Sequence, residues 1–587
     1  MFLRANTRKK DGKTHRYFSI VENKRVSDGR VVQRHVLYLG EINASQENTW
    51  RNAIEVFDEH TQTQQSLSLF AADVDTLPTS DKVVRLTLNE LSLKRPRAYG
   101  ACWLALKLWQ TVQLDVFWSQ RLVKSRKGTH WDQVLAVLVL YRLISPGSEW
   151  RLHRVWFERS ALADLLGVDF AAADIHRLYR CHDRLLAHKT ALFTHLTNRW
   201  RDLFNASFEV LLYDLTSTYF EANPPFEEND KRRYGHSRDH RSDCVQVVIA
   251  LIVTPQGLPI AYEVMAGNTS DKTTLKAFLA RIETQYGSAR RTWVMDRGIP
   301  TEAVLAEMRT SNVAYLVGTP KGRLTQLQTA LLTQPWHQVR DQVKVKLLSH
   351  DGEIYVYAHS QARIGKERSM RKRTLKWLWA RLKVLSEMTL TREVLLMKLG
   401  AAQQHSPSAW RLITIELDAK EARFTYTLNR GKLKTVRQRE GRYLLRTNLT
   451  DTDPAKLWEQ YLQLTQVEEA FKNLKGDLAL RPIYHQREDR IEAHIFISFL
   501  AYCLHVTLKQ QLNCLAPGLT PRSVLEQFAA VQMLDVHIPT TDDRELILTR
   551  YTQPPKELAL LLQQLQLELP AQPPPRITAQ TRPADHL

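Results

Sequence analysis

The residues best suited to chemistry lie in Tyr461 to Lys475, YLQLTQVEEAFKNLK, where Tyr461, Leu464, Glu468 and Lys475 follow one another at steps of three, four and seven. Those steps return to one side of a helix with a 3.6-residue period, so a carboxylate and a lysine share a face. Val467, Phe471, Leu474 and Leu478 form a second, apolar stripe that docks the helix on a core and leaves Glu468 and Lys475 along its rim. Taken alone, such a helix is an ordinary surface element. Two distant stretches change its meaning: YDLTSTYF, with Asp214, and WVMDRG, with Asp296, each put an aspartate at or near the end of an apolar run that reads as a buried strand. Three acids gathered on a sheet and a neighbouring helix are what two divalent cations need, because Mg²⁺ takes oxygen ligands and keeps several waters, with Mn²⁺ able to substitute. Two such ions about 4 Å apart would hold a scissile phosphate, lower the pKa of an attacking water or 3′-hydroxyl and stabilise the leaving oxyanion. In this reading Asp214 bridges both ions, Asp296 and Glu468 hold one each, and Lys475 steadies a phosphate about two helical turns beyond Glu468.

The elements that must bring the acids together begin near residue 208, where the chain turns to short buried strands: FEVLLYDLT, CVQVVIALIVT and LPIAYEVMAG. Pro255-Gln256-Gly257 makes a tight turn between the last two, giving a meander. SDKTTLKAFLARIETQYG then reads as a helix with Ser270 or Asp271 as N-cap, followed by the strand TWVMD, a turn at Gly298, a helix over 301–310 and the strand VAYLVGTP. The order β-β-β-α-β-α-β is that of a ribonuclease H-like fold. In such a sheet the first and fourth strands lie side by side, so Asp214 and Asp296 meet although 82 positions separate them (296 − 214).

The rest of the chain divides around this core, since 587 residues exceed one ordinary core and predict three or four domains. The fold class is α/β: a ribonuclease H-like catalytic core (206–320 and 451–490) interrupted by a β-rich insertion (321–450), with a mainly helical N-terminal domain and a helical C-terminal region. Residues 1–45 read as a basic β-hairpin turning at Asp28-Gly29, and 46–94 as a polar helix and linker. Residues 95–205 are helical and interleaved with arginines, which suits recognition of a duplex end, with Trp103, Trp109, Trp131 and Trp150 as core residues. Within the insertion, Arg368, Arg371, Lys372, Arg373, Lys376, Arg381 and Lys383 either track a phosphate backbone or form a solvated charge run. Residues 491–552 are predicted as helices and 553–587 as a proline-rich, disordered tail.

Charge names the partner. Lys plus Arg is 82 against 62 for Asp plus Glu, a formal net charge of +20, and a surplus of that size points to nucleic acid, where counterion release drives binding. A membrane is disfavoured because apolar runs such as IFISFLAYCLHVTL fall short of the roughly 20 residues that span a bilayer. The charged N-terminus does not read as a secretory signal. Cys102, Cys181, Cys244, Cys503 and Cys514 are scattered, with no CxxC pair, which suggests a reducing cytoplasm without disulfides or a zinc knuckle.

With these motifs in view, the chain resembles bacterial insertion-sequence transposases of the DDE class, in the branch that carries a β-rich insertion and the signature Y-x2-R-x3-E-x6-K. Tyr461, Glu468 and Lys475 match it, while the arginine position is Leu464. Further resemblance lies in YDLTSTYFE, QVVIALIVTPQGLPIAYEVMAGNTSDKTTL and LALRPIYHQREDRIEAHIFISFLAY, over most of 210–505. The resemblance implies a metal-dependent polynucleotidyl transferase acting as a homodimer on double-stranded DNA: it cuts at the inverted-repeat ends of its own element and transfers the 3′ ends to target DNA. Asp214, Asp296 and Glu468 would be its catalytic metal ligands, and Tyr461 and Lys475 its DNA-phosphate contacts. The departure at Leu464 leaves those ligands alone and implies that the missing arginine is supplied elsewhere. Two other readings share the charge and fold, a catalytically inactive relic acting as a DNA-binding regulator and a nuclease that only hydrolyses.

Several nearby groups are set aside. Glu469 points about 100° round the helix from Glu468 and reads as surface; Asp271 reads as a helix cap. His236 and His240, spaced like metal ligands but without cysteine partners, read as ordinary surface. His485 and His494 flank the site helix and are left as open candidates for DNA contact.

Overall fold

A computed structural model describes residues 2–10, 13–25, 31–40, 86–125, 128–221, 230–239, 241–269, 291–296, 298–319, 321–418, 422–450, 453–541 and 544–578. The chain forms two compact units. One comprises Met1–Lys189, Gly476–Leu480 and Tyr484–Leu587; the other comprises Thr190–Lys475 and Arg481–Ile483.

The second unit is built on a sheet because its strands are too apolar to face water. Among the described residues the nine strands of this sheet are β1 (Val210–Phe220), β2 (Val245–Val253), β3 (Pro259–Ala266), β4 (Thr292–Met295), β5 (Ala314–Gly318), β6 (His337–Arg340), β7 (Val343–His350), β8 (Glu353–Ser360) and β9 (Arg442–Thr447). They run in the order β6-β7-β8-β9-β5-β4-β1-β2-β3. β2, VQVVIALIV, is buried at every position, as a strand covered on both faces must be. β1, β2 and β3 form the expected antiparallel meander, with Gly257 at φ +82° in the turn that joins β2 to β3. β4 pairs in parallel with both β1 and β5, so the first and fourth strands are neighbours. The helix expected after β3 lies outside the described residues; the one after β4 is Glu302–Thr310, capped by the Thr301 hydroxyl.

The segment expected to be a β-rich insertion is more helical than its strands suggested. β6, β7, β8 and β9 continue the main sheet beyond β5, and the longest element of this segment is the 27-residue helix α1 (Gln361–Glu387). Leu378, Leu382 and Leu385 recur at helical spacing on α1 and pack with Leu395, Leu399, Ile413 and Phe424 in a separate small core. The basic cluster therefore sits on an ordered helix, where Arg371 Nε lies 2.6 Å from Glu440 Oε1. Next come α2 (Pro454–Leu462), started by Pro454 behind an Asp453 cap, and α3 (Leu464–Lys475). The continuous helix expected from Tyr461 onward is thus two, broken at Gln463, whose carbonyl accepts the Gln466 N–H at 2.8 Å. Val467, Ala470, Phe471 and Leu474 are buried where α3 packs on β1 and β2, as the apolar stripe predicts.

In the first unit, Phe2–Lys10, Lys13–Arg25 and Val31–Gly40 form a three-stranded antiparallel sheet rather than a single hairpin; the Asp28-Gly29 turn and most of the 46–94 linker lie outside the described residues. Helices dominate 100–189, with Trp103, Trp109 and Trp131 buried as expected. Trp150 departs from that expectation: it is 54% exposed and lies under the Arg154 guanidinium. Glu488–Leu515 is long and apolar enough to cross a membrane, yet its most apolar window is 94% buried within the protein.

Helix does not continue through 552. Gln532–Pro539 and Glu545–Tyr551 are paired strands in a sheet with Ser92–Ala98 and Arg576–Ile577, because their buried and half-buried residues largely alternate with the period of two that suits a strand. Residues 553–578, expected as part of a disordered tail, are ordered. They hold a helix, Lys556–Gln564, on buried Leu558, Leu561 and Leu562, and the Gln572 side chain donates to the Tyr551 carbonyl at 2.9 Å. Flanking prolines thus conceal a leucine stripe of helical spacing.

Candidate active site

Register brings the two aspartates together. Tyr213 of β1 lies opposite Met295 of β4 in a parallel pair, so Asp214 and Asp296 each stand one residue beyond the same rung. Asp296 falls just past the end of β4, where the strand stops and an exposed side chain becomes possible. α3 packs on β1 and carries the third acid. Asp214, Asp296 and Glu468 all line one cavity of about 300 Å³, together with Tyr461 of α2. The cavity takes Glu468 from α3, not its neighbour Glu469.

The electrostatics show negative charge in excess. Asp214 is partly buried, and its carboxyl is pushed up to about 7, mainly by desolvation, with the charges of Asp296 and Glu468 adding to the shift. The Leu215 N–H, donating to Asp214 Oδ1 at 2.8 Å, and the Arg238 charge oppose it without cancelling it. Tyr461 Oη approaches Asp296 Oδ1 at 3.4 Å, and burial together with that charge raises the phenol's pKa. Its hydroxyl therefore stays protonated and donates to Asp296.

Lys475 stands two helical turns beyond Glu468, as expected, and outside the cavity lining. Seven residues beyond Glu468 is about 10 Å along a helix, and there its Nζ lies 3.0 Å from Asp239 Oδ1, mostly buried. Burial lowers its pKa while Asp239 partly restores it. The structure thus groups Tyr461 with the three acids and pairs Lys475 with Asp239. His485 and His494, the open candidates for DNA contact, are both buried in the other unit.

Two cationic residues of the cavity were not singled out from the sequence: Arg363, in the first turn of α1, and Arg442, which opens β9. Ser360 caps α1 by accepting the Arg363 N–H at 3.4 Å. Gly441, at φ +74°, lets β9 start against that turn, where an added Cβ would lie 2.6 Å from the Ser360 carbonyl oxygen. Glu367 fixes the approach by accepting the Gly441 N–H at 2.8 Å. The Arg363 guanidinium lies over the Tyr443 ring, 4.6 Å from its centroid, and Arg442 Nη1 donates to Tyr357 Oη at 3.3 Å. The only sequence signal for the pair was the absence of arginine at Leu464, which itself lines the same cavity.

A family model described as a transposase DDE domain matches residues 207–504, and one described as the N-terminal domain of IS1634 family transposases matches residues 3–66. Among solved structures the chain is similar to the Mos1 transposase paired-end complex with left transposon end, at 13% identity and a TM-score of 0.14. That likeness covers 34% of this chain and 65% of the other, slightly under two thirds of its length. No curated protein matches.

Proposed function

The chain belongs to the insertion-sequence DDE transposases, and from that premise we propose that it binds the ends of its own element, cleaves them and joins the freed 3′ ends to target DNA. The observation that carries this reading is the convergence of Asp214, Asp296 and Glu468 on one cavity. The core sheet, with β1 beside β4 and α3 packed on β1, is read as ribonuclease H-like, and 321–450 as an insertion into it.

The donor set suits hard divalent cations: three carboxylates share the cavity, and one of them is held near 7, mainly by desolvation, with the other two acids adding to the shift. Asp214, Asp296 and Glu468 would hold two Mg²⁺ or Mn²⁺ ions, which when bound supply an activated water or 3′-hydroxyl and neutralise the leaving oxyanion. The protein's own groups do the positioning. Tyr461 donates to Asp296 and fixes that carboxylate's orientation. Arg363 and Arg442 present guanidinium groups to the cavity, and these would take over the phosphate contact that a family arginine at position 464 would make. Stacked or tied through Tyr443 and Tyr357, they lose less freedom when they engage a phosphate. The +20 net charge supports DNA as the substrate. A homodimer, with each copy serving one DNA end, and a cytoplasmic setting complete the proposal.

The test uses the DNA that flanks the coding region. An oligonucleotide duplex of the element end with its flank, labelled at the 5′ terminus of the transferred strand and mixed with supercoiled plasmid and Mg²⁺, should yield a covalent strand-transfer joint that carries the label. Cutting without a joint would favour a nuclease that only hydrolyses. Binding without cutting, in Mg²⁺ and in Mn²⁺, would favour the inactive regulator.

A further inference from the structure

Apart from the acid cavity, the first unit buries a second set of ligand-type side chains: Glu149, His182, His485 and His494, all under 8% exposed. His182 ends the helix Ile175–His182, His494 lies in Glu488–Leu515, and His485 lies just before it. One carboxylate oxygen stands at the centre. Glu149 Oε1 is 3.4 Å from His182 Nε2, 3.3 Å from His485 Nε2 and 3.6 Å from His494 Nδ1, and the four ligand atoms all lie within 4.8 Å of one another.

The outer ring nitrogens fix what the inner ones present. His182 Nδ1 lies 2.9 Å from the Leu178 carbonyl oxygen, and His494 Nε2 lies 3.1 Å from that of Leu480. A carbonyl only accepts, so each ring donates its N–H outward and turns a lone pair inward. Backbone acceptors on the far nitrogen are the usual second shell of a metal-bound histidine. A lone pair that faces a carboxylate oxygen in a dry core is repulsive unless positive charge lies between them. His182 Nε2, moreover, is buried without a hydrogen-bond partner.

Distance separates a proton from a metal. Charge-assisted N–H···O bonds run at about 2.7–2.9 Å, shorter than any of the three contacts. Ligands held about 2.0–2.1 Å from a tetrahedral ion instead stand about 3.3–3.4 Å apart. The three distances to Glu149 Oε1, 3.3–3.6 Å, lie nearer the second rule, and the nitrogens stand within 4.8 Å of one another, close enough to draw in around one ion. We propose that Glu149, His182, His485 and His494 form a closed four-ligand site for Zn²⁺ or a similar borderline transition-metal ion. Imidazoles with one carboxylate select such an ion over Mg²⁺, and four protein ligands leave no open position for catalysis. The site is structural: it ties residues 149–182 to residues 485–494, so binding free energy adds to the stability of the unit. The opposing feature is Arg142, whose Nη2 lies 3.5 Å from His494 Nδ1 and brings positive charge to the rim. It offers the metal-free alternative, a neutral Arg142–Glu149 core with the imidazoles around it.

The test is the metal content of the full-length chain, purified without a metal-chelating tag, followed by replacement with Co²⁺. The proposal expects about one zinc per chain and the visible bands of tetrahedral cobalt. Glu149→Gln and His485→Gln should each lower metal content at least about tenfold, while Asp296→Ala, in the acid cavity, should leave it unchanged. A natively folded wild-type chain with less than about a tenth of a zinc and no cobalt bands after reconstitution would overturn the proposal, whether or not the variants fold. Full zinc retention in both folded Gln variants would overturn it as well.

Discussion

Each unit gathers ligand-type side chains from distant parts of the chain, and the two gatherings differ in every physical respect. The acid cavity is open, oxygen-only and edged by arginines. The histidine cluster is dry, mostly nitrogen and closed by its own fold. Acids gathered on neighbouring central strands and the helix packed on them put charge in an open cavity where a substrate reaches it, and the fold tolerates their mutual repulsion. Buried imidazoles around one carboxylate have no access to substrate, so their convergence serves stability. The contrast teaches that convergence alone does not mark chemistry; exposure and donor type do.

The largest expected effect falls on the open side. Asp296→Ala or Glu468→Ala should reduce Mg²⁺-dependent nicking by about 1000-fold or more with little change in melting temperature; a nicking assay beside a thermal melt checks both. Glu149→Ala should do the reverse. Leaving Arg142 and three imidazoles around a missing carboxylate should cost about 3–5 kcal/mol in urea unfolding, and a cost below about 1 kcal/mol would break the contrast.

Asp214 gives a pH signature. Its carboxyl sits at about 7 in the folded protein against about 4 in an unfolded chain. The folded state therefore holds the proton more tightly, and stability is lost as pH rises from about 4 through 7. Without metal, Asp214→Asn should then be more stable than wild type at pH 8, by on the order of 2–4 kcal/mol, with the gain vanishing near pH 4. Melts across that range read it, and Mg²⁺ should narrow the gap by favouring the wild-type carboxylate.

Smaller effects sharpen the edges of the comparison. Arg363→Ala or Arg442→Ala should weaken binding of the element end by about tenfold and lower the salt dependence by about one unit of slope each. That is measured by fluorescence anisotropy in a salt series. Lys475→Met, which breaks a pair with Asp239 that is 14% and 12% exposed, should cost about 1 kcal/mol of stability and leave that binding unchanged.

The two gatherings also differ in how legible they were. Asp214 and Asp296 end apolar runs, and Glu468 sits opposite a periodic stripe, so the acid site could be read from local pattern and strand order. Leu464 announced a missing arginine, but Arg363 and Arg442 are 79 positions apart (442 − 363), and only the turn at Gly441 joins them. Lys475 matched a spacing, yet it has its own partner in Asp239, because a helix fixes a face and not what covers it. His182 and His494 each sit in stretches that look like ordinary helix, and no local period links them to Glu149. The strands at Gln532–Pro539 and Glu545–Tyr551 were hidden behind a long apolar helix, and the leucines of Lys556–Gln564 behind prolines.

The most direct test of the central claim is anomalous diffraction at the manganese edge from crystals grown with Mn²⁺. The account predicts manganese peaks coordinated by Asp214, Asp296 and Glu468 in wild type, and their loss in Asp296→Ala. Manganese bound elsewhere, with those three carboxylates ligating nothing, would contradict it.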